Sequence, residues 1–142
     1  MKSTVLFTVA KVITVRHYPD AHAVVASWEA LSSPQFREIC TRGLGECGRL
    51  GARSWVVDLT RNPGVPSQAD YEWMGSTGVK LCKKNGVVAV INVHGKSRVA
   101  SMGAKRWAKL VDEGGLGSYD CSSVADALTL AAEIAAEKEE QK

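Results

Sequence analysis

Ser54–Trp73 reads SWVVDLTRNPGVPSQADYEW, and the fold turns on how this stretch is parsed. Trp55, Val56, Val57 and Leu59 make a short apolar run that suits a strand buried on both faces. Arg61–Pro66 then breaks the run with Asn62, Gly64 and two prolines, all turn formers. Ser67 followed by Asp70 has the Ser-x-x-acid spacing of a helix start, with Asp a weaker reciprocal partner than Glu. The order is buried strand, loop, capped helix. Loops at the carboxyl ends of parallel strands are where open α/β sheets place ligand and partner sites.

Outward from this stretch the same alternation repeats. Thr4–Val15, rich in Val, Ile, Phe and Thr, supplies one or two strands, Tyr18-Pro19-Asp20 a turn, and Ala23–Trp28 the next strand. Ser33 caps a helix with Pro34 at its first position, where a missing N–H costs nothing. Phe36, Ile39, Cys40, Leu44, Cys47 and Leu50 recur at helical spacing. Gly43, Gly45 and Gly48 each cost that helix roughly 1 kcal/mol relative to Ala, so packing has to hold it, with close approach to the sheet. Gly51 ends it as a left-handed cap.

Downstream, a helix from Ser67 carries Trp73, Met74, Leu81 and Cys82 inward and stops at Asn85-Gly86. Gly86–Val93 reads as a second buried strand. A helix capped by Ser97 follows, with Val99, Gly103, Trp107, Leu110 and Val111 inward, then a short strand Gly117–Cys121. Ser122 or Ser123 caps a last helix with Val124, Ala127, Leu128, Ala131, Ile134 and Ala135 inward. The expectation is a single α/β domain over 1–136: a mixed, mainly parallel sheet of about five strands with about four helices. The charged run 137–142 (EKEEQK) is expected to fray.

Composition narrows the function classes. The 142 residues are 45% apolar, enough for one domain that buries about 70% of its unfolded surface. No run of about 20 apolar residues can span a bilayer, and the opening MKSTVLFTVAKVITV reads as a strand, with Lys11 interrupting any leader-like core. Cys40, Cys47, Cys82 and Cys121 form no C-x-x-C pair, which argues against a metal site and suits a reducing cytoplasm. No nucleophile motif or paired catalytic carboxylate stands out, so the reading is a non-enzyme without cofactor. Asp58 at the strand end reads as a tether for loop amides. Gly95-Lys96-Ser97, between strand and helix, lacks the first glycine of a phosphate loop and reads as a weak anion site at most. A net charge of +3 is too mild to argue for nucleic acid, and the basic stretch Lys80–Lys109 lacks stacking aromatics apart from Trp107. That stretch reads as solvated helix faces or, more sharply, as a docking surface for an acidic partner or anionic lipid.

The segments WEALSSPQFREICTRGLGECGRLGARSWVVDLTRNPGVPSQADYEWM and CSSVADALTLAAE resemble the SpoIIAA-like (STAS-like) family, and the element order is similar to the STAS fold of bacterial anti-sigma-factor antagonists. The resemblance runs from about Val12 to Ala132. It implies a STAS-like sheet, a bacterial cytoplasmic protein and a regulatory role through a protein partner. In the antagonists, a strand ending Asp-Leu-Ser leads to a loop whose serine is phosphorylated. Asp58-Leu59-Thr60 matches the strand end and Ser67 falls at the serine region, so the resemblance implies Ser67 as a phosphoacceptor, whereas capping chemistry alone makes it an N-cap. Pro66 stands where the antagonists carry an acidic residue, and Gln68 where they carry Ser or Gly.

The partner site is therefore expected at Asp58, Thr60, Arg61, Asn62, Gly64, Ser67 and Gln68. Grouping of the family with CRAL-TRIO lipid-binding proteins implies the alternative of a carrier for an apolar or lipid-like ligand. Chain size also allows a symmetric homodimer.

Overall fold

The computed structural model describes residues 1–94, 105 and 108–140, the side chains of the last three aside. Its core is a sheet of six strands in the order β1-β2-β3-β4-β5-β6. These are β1 (Thr4–Val9), β2 (Ile13–Tyr18), β3 (Ala23–Trp28), β4 (Ser54–Leu59), β5 (Ala89–His94) and β6 (Gly117–Cys121). β1–β2 and β2–β3 pair antiparallel, whereas β3–β4, β4–β5 and β5–β6 pair parallel. The sheet is thus mixed and mainly parallel, with one strand more than expected because Thr4–Tyr18 folds into a full hairpin.

β4 lies between β3 and β5, and all six of its residues are buried. Its alternate side chains serve two cores. Trp55, Val57 and Leu59 join Val24, Ala26, Trp28 and Val90 beneath the crossover helices. Val56 joins Val25, Ile91 and Val93 under the C-terminal helix. The crossover face carries α1 (Phe36–Leu50), then α2 (Gln68–Trp73) and α3 (Val79–Lys84), then α4, described over 108–113. The opposite face carries α5 (Val124–Glu140), which sets Ala127, Leu128 and Ala131 on the sheet. The parallel connections step one way along the sheet and their helices share one face, as a single crossover hand requires.

Several boundaries differ from the sequence reading for local reasons. α1 begins at Phe36, and Ser33 acts a turn earlier, its Oγ accepting from the Gln35 N–H at 3.1 Å. β5 begins at Ala89, not Gly86, because the Val87 N–H still closes the end of α3 on the Cys82 carbonyl at 2.9 Å. Between α2 and α3 the chain makes a π-helical turn over Met74–Gly78. Ser76 Oγ donates to the Glu72 carbonyl there, the kind of competition with the helix ladder that accompanies such turns. Gly51, at φ 70°, closes α1 with its N–H on the Cys47 carbonyl, as expected. Ser123 is the cap of α5: its Oγ accepts from the Asp126 N–H at 3.1 Å. α5 continues through Glu140, so no break in the helix marks off the charged tail.

Candidate functional site

Asp58 sits near the end of β4, buried, with both carboxylate oxygens engaged. Oδ1 accepts from the Thr60 N–H at 3.0 Å and the Thr60 hydroxyl at 2.7 Å, and Oδ2 accepts from the Ser27 hydroxyl at 2.9 Å. Ser27 comes from β3, directly across the ladder from Asp58. The carboxylate therefore ties the start of the loop to the neighbouring strand, the tether that its position suggested.

The loop Arg61–Gln68 is held at several further points. The Asn62 N–H returns to the Leu59 carbonyl at 3.1 Å, with Asn62 at φ 54° and Gly64 at φ 80° supplying the left-handed turns. Asn tolerates that region and Gly adopts it freely, which accounts for the two residue types. The Leu31 N–H donates to the Pro63 carbonyl at 3.0 Å, and Arg61 pairs with Glu29. Pro63 and Pro66 are buried, while Arg61, Asn62, Gly64, Val65, Ser67 and Gln68 are exposed. Ser67 is extended at φ −64°, ψ 160°, and its Oγ accepts from the Asp70 N–H at 3.1 Å, which makes it the N-cap of α2. Asp70 in turn accepts from Arg37 Nε on α1 at 2.8 Å. The expected site residues are thus brought together on one constrained ridge, with Asp58 as its buried anchor.

Sequence reasoning missed two groups. Thr14, Arg16 and Ser27 line a cleft of about 330 Å³ with Asp58, Thr60 and Arg61, on the α5 face of the sheet. The signal was Ser27, the polar residue in the otherwise apolar run AVVASW. The second group is Asn92, His94 and Asp120, at the carboxyl ends of β5 and β6. There His94 Nε2 lies 2.5 Å from Asp120 Oδ1. Here the signal was Asn92, which interrupts GVVAVINV.

The expected anion site Gly95-Lys96-Ser97 lies outside the described residues, as do Arg98, Arg106 and Trp107 of the basic stretch. Within that stretch Lys80, Lys83, Lys84, Lys105 and Lys109 are exposed, and Lys109 approaches Glu113 at 4.0 Å. Among the described residues no group of His, Cys, Asp and Glu is arranged to hold a metal ion, and no helix is long and apolar enough to cross a membrane. Cys40, Cys47 and Cys82 are buried as free thiols. Burial raises the pKa of each, that of Cys82 up to about 12, so they behave as small apolar residues. No family model, no curated protein and no solved structure matches the chain.

Proposed function

We propose that the chain is a non-enzymatic regulatory or protein-interaction domain of the STAS-like type, presenting the loop Arg61–Gln68 and helix α2 to a protein partner in a reducing cytoplasm. One observation carries this reading. The loop is exposed along most of its length yet fastened through Asp58, Asn62, Pro63 and the Ser67 cap. A surface already held in one shape loses little entropy on docking, which favours recognition. Asp58 has three donors on its two oxygens, which suits a structural anchor better than a base. The alternative, a carrier of an apolar ligand, requires a lined apolar cavity. Two clefts among the described residues are edged instead by polar groups, one by Arg16, Asp58 and Arg61 and the other by Arg53, Lys84 and Asn85.

Ser67 separates a plain cap from a phosphorylation switch. Ser67→Ala is expected to cost about 0.5–2 kcal/mol, and Ser67→Asp to restore most of it, because Asp also caps and its charge favours a helix N-terminus. In affinity capture from native lysate, Ser67→Ala keeps the partner set of the unmodified chain and Ser67→Asp loses a partner. Identical partner sets for all three proteins would reduce Ser67 to a cap and remove the loop as the docking site.

A further inference from the structure

We infer that Asn92, His94 and Asp120 form a binding site for a small neutral ligand of the amide type, a carbonyl oxygen flanked by N–H donors. The inference is independent of the loop reading and concerns the other end of the row of strand tips. Asn92 lies in the middle of a strand buried on both faces, is itself fully buried, and neither its Oδ1 nor its Nδ2 has a hydrogen-bond partner among the described residues. Nearly every buried side-chain amide is satisfied in a folded protein, so a doubly unpartnered one in a sheet interior calls for an explanation. His94 lies two residues on, on the same face of β5, roughly 6.5–7 Å along the strand. Its Nδ1 is also buried and has no partner among the described residues. Asp120 stands opposite Asn92 in the ladder and engages His94 Nε2 at 2.5 Å.

The hydrogen-bonding demand of these three residues defines the ligand. In the neutral ring, a carboxylate at Nε2 selects the tautomer that carries its proton there, which leaves Nδ1 as a bare acceptor. The open valences are then two acceptors, Asn92 Oδ1 and His94 Nδ1, and one donor group, Asn92 Nδ2. An anionic ligand has no hydrogens for the two acceptors and faces the charge of Asp120. A simple ammonium has nothing to accept from Nδ2. A group with a carbonyl beside N–H donors satisfies all three at once. Asp120 and His94 reach solvent, their side chains 57% and 20% exposed, at the carboxyl ends of parallel strands where such sheets bind ligands.

The test is a titration of the isotopically labelled full chain with acetamide, nicotinamide and uracil. Nuclear magnetic resonance follows the Asn92 side-chain amide and the His94 ring nitrogens. At least one probe is expected to give saturable shifts at both residues. Asn92→Leu, similar in volume and without the unpartnered amide, is expected to abolish them while leaving the remaining backbone spectrum intact. Asp120→Asn, at an exposed position, is expected to weaken binding about tenfold by releasing the imidazole tautomer. Three outcomes overturn the proposal: no saturable shift with any probe, shifts that survive both substitutions, or a long-lived water on the Asn92 amide that no probe displaces. The loop amides of Arg61–Gln68 report separately, so failure here leaves the partner reading standing.

Discussion

Gly43 and Gly45 lie two residues apart in α1 and carry opposite constraints. A Cβ on Gly43 would stand 2.5 Å from the Trp55 ring, whereas one on Gly45 would meet nothing within 4 Å. The absence of a side chain at Gly43 is what lets the helix settle on the indole of the central strand. Gly45 faces solvent and only adds backbone entropy to the unfolded chain. Gly43→Ala is therefore expected to destabilise the fold by about 1–3 kcal/mol through overpacking, and Gly45→Ala to stabilise it by about 0.5–1 kcal/mol. Urea denaturation midpoints of the two variants check both signs. A close approach at one of these glycines was legible from their density in the helix, but which of them needed it was not. That depends on where Trp55 lies, twelve residues beyond Gly43 in sequence and across a layer in space.

At the scale of elements, α5 shows how far a pattern of apolar residues predicts burial. Ala127, Leu128, Ala131 and Ala135 are buried, with Val124 and Ile134 half-buried, as the spacing required. From Ala136 no apolar residue follows, although the backbone stays helical to Glu140. Truncation after Ala136 is expected to cost less than about 1 kcal/mol, since a charged last turn contributes little once the apolar stripe has ended. Thermal denaturation of the shortened chain is the measurement, and a larger loss would mean that the last turn is docked. The run from Ser67 to Lys84 was legible only in part. Its start and stop are local signals, read from Ser67 and Asn85-Gly86. The π turn at Met74–Gly78 is not; within it Gly75 fits tightly against Leu110, where a Cβ would lie 3.1 Å away, on a helix distant in sequence.

For the whole molecule, assembly of the sheet also sets a pH response. His17 on β2 has its pKa lowered by partial burial, then by the charges of Arg49 and His22. A lowered histidine pKa means that the folded state favours the neutral ring. Its contribution to stability is present above the unfolded value of 6.5 and is lost as pH falls through that value toward the lower folded one. Chemical denaturation at pH 7.5 and 5.0 is expected to show lower stability at the acidic pH, with a smaller difference in His17→Gln. Sequence alone determined the identity of most elements, the strand–loop–helix parse of Ser54–Trp73, the cap at Ser67 and the αL stop at Gly51. Those signals act within about one helical turn or along one strand. Tertiary structure decided the six-strand order with its antiparallel N-terminal hairpin, and which polar groups meet. Ser27 reaches Asp58 across 31 positions and His94 reaches Asp120 across 26. Pairings of that kind follow from strand register, which is set by burying both faces of the sheet at once rather than by any neighbour in the chain.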